Sequence, residues 1–423
     1  MSAPTFHRPW LDGIEVVDPL VADLIEREAA RQDEHIELVA SENYTWSAAL
    51  TALAGPGANK LADGYPGRRD TGGCEVIDEI ERVAIARVRQ LFGADHANVQ
   101  PHSGAQANMA VYFACLEPGD TILAMGVDQG GHQSHGLGAN FSGRLYNVVG
   151  YGVDRESGFI DFDEVARLAR LHRPRLIVCG ASSYPRRIEF GRFRAIADEV
   201  GALLLCDIAH IAGLIAAGLH ENPTPYADFV TSTIHKTLAG PRCGGFIVCP
   251  ERHADAIDQA VFPGTQAAPF QHLIAAKAVA FGIASTPAFR AYQEKIRSNA
   301  DALAEALHAR DASVVTGGTD THLLMVDLRP WQRSGPEAAR LLAAVNVSVN
   351  AYPIPHEDAG ATSGIRLGTP AVTMRGFNED DMERTGAIIA HSLRDGGDPE
   401  QLREQSVALC RAHPIYPNHR WLG

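Results

Sequence analysis

The sequence predicts an α/β protein, with a mostly parallel sheet between helices followed by a smaller α+β domain. Three observations carry this. From about residue 97 to 250, short apolar runs alternate with helical segments, as in strand–helix–strand crossover units. Those runs are apolar almost throughout rather than alternating, as strands are when helices cover both faces of a sheet. After a helical region over 271–310, isolated strands and helices surround a Pro-rich loop, the pattern of a smaller mixed unit.

Taken in order, residues 14–32 place apolar side chains at helical spacing with charges between them, which predicts a helix. Residues 36–46 (IELVASENYTW) read as extended. The stretch 55–74 is rich in Gly, Arg and Asp and too irregular for a plain connector; long irregular loops in compact domains are often functional. Helical spacing returns over 75–92. Strands are expected at 121–125, 175–179, 202–206, 229–231 and 245–249, and helices at 162–172 and 192–200. Beyond 310 follow strands at 313–315 and 322–326, a helix near 336–345, a strand near 347–350 and helices after 376. This divides the chain into an N-terminal helical arm (1–50), a large domain (51–285) and a small C-terminal domain (286–423). There is no internal repeat or low-complexity tract.

Composition narrows the function classes. The chain has 423 residues, 45% of them hydrophobic, with 37 Lys+Arg against 51 Asp+Glu and a net charge of −14. This is ordinary globular composition. The acidic balance argues against a general nucleic-acid or anionic-membrane surface. No apolar run approaches the ~20 residues that span a bilayer, and the opening MSAPTFHRPW lacks the apolar centre of a signal peptide. Seven scattered cysteines form no CxxC pair and no Cys/His zinc spacing. A cytoplasmic protein without a metal site is expected.

Five segments carry chemistry. In Thr231-Ser-Thr-Ile-His-Lys236-Thr, a lysine follows an apolar strand among hydroxyl-bearing residues. Such an amine can form a Schiff base with a carbonyl compound, although a lone lysine is more often at the surface. In Leu203-Leu-Leu-Cys-Asp207, a carboxylate ends an apolar strand, where ligands of parallel sheets bind. It can keep a pyridinium nitrogen protonated and so make a pyridoxal ring an electron sink; alone, it reads equally well as a helix cap. Its distance of 29 residues from Lys236 suits adjacent strands sharing one cofactor. His102-Ser103-Gly104 opens a helix and offers backbone amides to a phosphate, though Ser-Gly also marks any turn. Gly130-Gly131-His132 places an imidazole to stack on a flat ring or move a proton, or simply in a loop. Arg366 is the single charge in Thr362-Ser-Gly-Ile-Arg366-Leu-Gly, suited to a substrate carboxylate or to a buried ion pair.

Together these segments resemble the serine hydroxymethyltransferases. The likeness runs from about residue 15 to 395, with ELVASENY, GYPGRR, GGCE, GGHQSHG, CDIAHIAG, HKTLAGPR, VFPGTQ and TSGIRLGTP in the expected order. The resemblance implies fold type I of the pyridoxal 5'-phosphate enzymes, with a seven-stranded sheet in a large cofactor-binding domain. It also implies a homodimer, or a tetramer built from it, with active sites shared between subunits. Lys236 becomes the Schiff-base lysine, Asp207 the pyridinium partner and His132 the ring-stacking imidazole. Ser103, Gly104 and His235 bind phosphate, with Gly264 donated by a second subunit. Ser182 and His210 line the ring's 3-hydroxyl side. Ser41 and Arg366 hold the substrate carboxylate, Arg242 supports the lysine, and Tyr65 belongs to the substrate side.

The departures from the family pattern concern substrate choice. Three tyrosines of the family's loop become Leu61, Asp70 and Thr71, and its glutamate becomes Asp63, one methylene shorter. Asp63 is expected to handle the hydroxyl proton, which requires contact at roughly 2.6–3.2 Å. Gln133 stands where an apolar residue packs on the pterin of tetrahydrofolate, and Asn350-Ala-Tyr352-Pro replaces a loop whose second asparagine binds it. Tyr184-Pro185-Arg186 and His413-Pro-Ile-Tyr-Pro resemble the branch that acts on α-methylserine. The expected reaction makes or breaks the Cα–Cβ bond of a β-hydroxy-α-amino acid. A folate-independent threonine aldolase or transaldolase that takes a larger aldehyde leads, ahead of folate-dependent hydroxymethyl transfer from serine or α-methylserine. A catalytically silent binding protein of the same fold has no need of Lys236, Asp207, His132 and Arg366 together.

Overall fold

The computed structural model describes residues 13–416 apart from residue 359. The ends of the predicted arm (1–12) and small domain (417–423), with the last proline of the HPIYP motif, lie outside the described residues. The predicted first helix is broken by Asp18-Pro19 into a single turn, Ile14–Val17, and helix α1, Pro19–Glu34. Proline lacks the amide a continuous helix needs but suits a first position, and Asp18 caps α1 by accepting the Val21 amide at 3.1 Å. Helix α2, Glu75–Phe92, ends on Gly93 at φ 67°, the left-handed cap that glycine adopts without strain.

The large sheet has seven strands: β1 (His96–Asn98), β2 (Thr121–Met125), β3 (Asn147–Tyr151), β4 (Leu176–Cys179), β5 (Leu203–Asp207), β6 (Phe229–Thr233) and β7 (Gly245–Cys249). Their order is β1-β7-β6-β5-β4-β2-β3. Strands β2 to β6 are parallel, and β7 runs antiparallel to both β6 and β1. Helix α3 (Gly104–Cys115) covers one face, burying Ala107, Ala110 and Val111 against Ile122, Leu205 and Ile247. Helices α4 (Phe162–His172) and α5 (Phe190–Val200) pack on the other with α2, burying Val165, Phe193 and Val88. Burial on both faces accounts for the unbroken apolar runs.

The helical region over 271–310 is two helices, α6 (Gln271–Ala284) and α7 (Pro287–His308), bent by 81°. Thr286 caps the second by accepting the Phe289 amide, and Pro287 takes its first position. No single helix among the described residues is long and apolar enough to cross a membrane. Beyond α7 lies an antiparallel sheet of β8 (Ser313–Val314), β9 (Leu323–Asp327), β10 (Asn350–Tyr352) and β11 (Gly364–Gly368), ordered β8-β9-β11-β10. The single strand expected near 347–350 is split. Val347–Ser348 pairs in parallel with Ile36–Glu37, while β10 pairs with β11. Ile36 and Leu38 thereby join the small-domain core with Leu324, Ile365 and Leu303, so the arm's extended segment packs with the C-terminal unit.

Candidate active site

Strands β5 and β6 are neighbours in register, with Asp207 opposite Thr231. The chain therefore leaves β5 at Asp207 and β6 at Thr233 on the same edge of the sheet, and Lys236 follows three residues later. The lysine is buried, and its Nζ donates to Thr233 Oγ1 at 3.4 Å. Burial pulls its pKa down from 10.5 to about 8; Arg366 and Arg242 reinforce that, and Asp207 opposes it. The amine is thus close to the neutral form that attacks an aldehyde.

Asp207 is held from three sides. Its Oδ2 accepts from Asn108 Nδ2 at 2.9 Å and faces His135 Nε2 at 3.0 Å, while its Oδ1 accepts the Ala209 amide at 3.0 Å. Burial alone would raise its pKa. The hydrogen bonds with His135 and Asn108 outweigh burial and hold the carboxyl well below the usual carboxylate range. It is a permanent negative charge at the floor of the site. Neither His135 nor Asn108 was singled out from the sequence; the Gly130-Gly131-His132-Gln-Ser-His135 spacing was the signal available for the first.

Ser103 caps α3 by accepting the Gln106 amide at 3.2 Å, leaving the first amides of the helix without intrahelical acceptors. A side chain at Gly104 would come within 2.6 Å of Thr233 Cγ2, so glycine is what lets the helix start approach β6. Burial pushes His132 down to about 4, with His135 adding to it, and its Nδ1 accepts the Ser134 amide at 3.2 Å. This fixes a neutral ring. Burial also pulls His210 well below the usual histidine range, and its Nδ1 lies 3.2 Å from His322 Nε2.

Arg366 on β11 donates Nη1 to the Ser182 carbonyl at 2.7 Å. Its Nη2 donates to Asn350 Oδ1 at 2.6 Å and to Ser41 Oγ at 3.4 Å. Its guanidinium carbon sits 4.5 Å from the centre of the Tyr352 ring, and its Nε is buried without a partner. A fixed guanidinium with an unpaired buried donor suits a carboxylate.

These side chains line one cavity of about 490 Å³. Ser41, Ser103, Gly104, His132, Ser182, Asp207, His210, His235, Lys236, Arg242 and Arg366 all reach it, as do Gln133 and Tyr352. Asp63, Tyr65 and Gly264 are not brought to it by their own chain. Tyr65 lines a separate cavity with Asp258 and Phe262, donating its hydroxyl to the Asp258 carbonyl at 2.6 Å. Gly264 lies in the adjacent segment Ala260–Thr265, and Asp63 has one buried carboxylate oxygen without a partner. Leu61 and Thr71, which replace two of the family's tyrosines, do not line that cavity: Thr71 Oγ1 donates to the Leu61 carbonyl, and Leu61 is more than half exposed. Arg186 pairs with Asp320 and donates to the Thr316 carbonyl, and His413 pairs with Asp381.

The donor set fits pyridoxal phosphate. Free helix amides and an unpaired His235 Nδ1 suit the phosphate. Asp207 suits a pyridinium nitrogen, Lys236 the aldehyde, and Arg366 Nε the substrate carboxylate. When bound, the cofactor supplies the electron sink for the substrate's Cα, while the protein supplies the fixed charges around it. The serine hydroxymethyltransferase family model matches residues 14–389, which includes each of these side chains. The chain is a member of the serine hydroxymethyltransferase family of pyridoxal-phosphate-dependent enzymes.

Proposed function

We propose that this enzyme makes and breaks the Cα–Cβ bond of a β-hydroxy-α-amino acid without tetrahydrofolate. Threonine is the preferred donor, and a larger aldehyde accepts the glycine unit. The observation that carries this is the wall beside Arg366. Where the family resemblance leads one to expect an amide for the pterin, Tyr352 lays its ring against Arg366, with Ala351 and Pro353 beside it in the cavity lining. Asn350, the one amide of that strand, is already taken by Arg366. Gln133 adds a polar side chain where an apolar one would support the pterin. Each neutral hydrogen bond lost to a ligand costs about 0.5–1.5 kcal/mol, and more where a buried group is left unpaired.

Arg366 and Ser41 hold the donor's carboxylate, and Asp207 balances charge across the cofactor ring. His132 and His210 line the cavity as neutral imidazoles, and Asp63 of the partner subunit takes the hydroxyl proton as the Cα–Cβ bond opens. Asp63, Tyr65 and Gly264 complete the cavity of a second copy in a homodimer. The exposed Leu61 and Phe270 support such a contact, and seven free cysteines support a cytoplasmic setting. The test incubates the holoenzyme with threonine, serine or α-methylserine, with and without tetrahydrofolate and a bulky aldehyde. Folate-independent release of glycine and acetaldehyde from threonine, with capture of the added aldehyde, supports the proposal. Turnover confined to serine plus folate refutes it.

A further inference from the structure

Lys277 lies inside the apolar helix α6 and is fully buried. Its Nζ donates to three backbone carbonyls: Val99 at 2.6 Å, Gly245 at 2.8 Å and Pro101 at 3.0 Å. A neutral amine has two N–H donors and an ammonium three, so three acceptors at these distances favour the ammonium. No carboxylate lies within ion-pair reach of it among the described residues. The carboxylate that acts on it from a distance is Glu81 on α2, already engaged by Arg69 and Gln100. The pKa of His102, in the same loop, is lowered by burial and lowered further by Lys277. A buried charge without a counter-ion is costly, and burial pulls this ammonium down to about 7.

The three carbonyls surround the loop that starts α3. Val99 and Pro101 lead into His102-Ser103-Gly104. Gly245 packs directly on that loop: its amide donates to the Pro101 carbonyl at 2.9 Å, and a side chain there would come within 2.4 Å of the Ser103 carbonyl oxygen. A side chain at Gly244 would come within 2.9 Å of Lys277 Cε.

We propose that Lys277 is a positioning residue for the cofactor's phosphate, a buried positive charge beneath the Ser103–Gly104 loop whose missing counter-ion is the phosphate dianion itself. The bare protein then stores an uncompensated charge that the cofactor relieves, in addition to the loop geometry the lysine fixes. The inference rests on the cofactor and not on which amino acid is cleaved.

Pyridoxal, which lacks the phosphate, separates this role from loop bracing alone. With Lys277→Gln, whose amide keeps two donors without a charge, pyridoxal phosphate affinity is expected to fall about tenfold or more while pyridoxal affinity stays within about twofold. Affinity for both is read from the near-visible absorbance of the Lys236 adduct. Equal losses for the two ligands, or no loss for either, overturn the proposal. The unmodified apoprotein gives an independent test that needs no folded variant. The chain contains four lysines, at 60, 236, 277 and 295, so ¹³Cε-lysine spectra resolve them. Inorganic phosphate alone is expected to move the Lys277 titration midpoint upward by about one pH unit, since an added negative neighbour favours the ammonium. An unmoved midpoint under phosphate saturation overturns the assignment.

Discussion

The guanidinium carbon of Arg366 stands 4.5 Å from the centre of the Tyr352 ring, and the two side chains come from neighbouring antiparallel strands, β11 and β10. The ring covers one side of the cation, while the Ser182 carbonyl and Asn350 fix its plane. The two side chains are therefore one rigid unit in the cavity wall.

Replacing Tyr352 with Asn restores an amide to that wall and removes the stack. Tetrahydrofolate affinity, read by calorimetry, is expected to rise by about tenfold, one to two neutral hydrogen bonds. The KM for threonine is expected to rise with it, because a cation–π contact of about 0.5–2 kcal/mol is lost from Arg366.

Arg366→Ala removes the carboxylate anchor. The KM for every amino-acid substrate is expected to rise about 10- to 100-fold, the equivalent of a charge-assisted contact of about 1.5–3 kcal/mol. Pyridoxal phosphate binding is expected to persist. Steady-state kinetics with threonine and serine check the first statement, and cofactor absorbance checks the second.

Lys236 is placed to meet the aldehyde of pyridoxal phosphate, for which only the neutral amine is nucleophilic. With its pKa lowered to about 8 by burial, Arg366 and Arg242, capture of pyridoxal phosphate by the apoprotein is expected to accelerate as pH rises through about 8, not 10.5. Asp207→Asn removes the charge that opposes this lowering, so the midpoint moves further down. Stopped-flow absorbance across pH 6.5–9.5 reads both, and Lys236→Ala gives no near-visible adduct.

His135→Phe removes the largest favourable influence on the Asp207 carboxylate. The Asp207 pKa then rises toward values set by burial, and turnover is expected to fall about ten- to a hundredfold. The pH profile of kcat is expected to gain an acidic limb, because the carboxyl now takes up a proton as pH falls. A merely structural His135 would lower stability without adding that limb.

Much of the site is legible in the sequence because each residue carries a local marker. Asp207 and Lys236 close apolar runs, Ser103-Gly104 begins a helix, and Arg366 stands alone in an uncharged strand. The alternation of runs gives the parallel sheet, yet not that β7 turns antiparallel or that 347–350 serves two sheets, since hydrogen-bond partners are set by tertiary packing. His135, Asn108 and Lys277 act across 72, 99 and 178 residues of chain, and no local pattern records such contacts. Lys277 left one trace, a lone charge inside an apolar helix. Asp63, Tyr65 and Gly264 carry strong motifs, yet one chain does not place them in its own cavity.

Cα–Cβ cleavage without folate is open to direct test. The most direct measurement is the single-turnover rate of glycine formation from threonine and from serine, with and without tetrahydrofolate, alongside calorimetric titration of tetrahydrofolate into the holoenzyme. The expected result is threonine cleavage that tetrahydrofolate leaves unchanged, and no micromolar binding. Micromolar tetrahydrofolate binding, with serine cleavage accelerated many-fold by it, would contradict the account and restore a folate-dependent hydroxymethyl transfer.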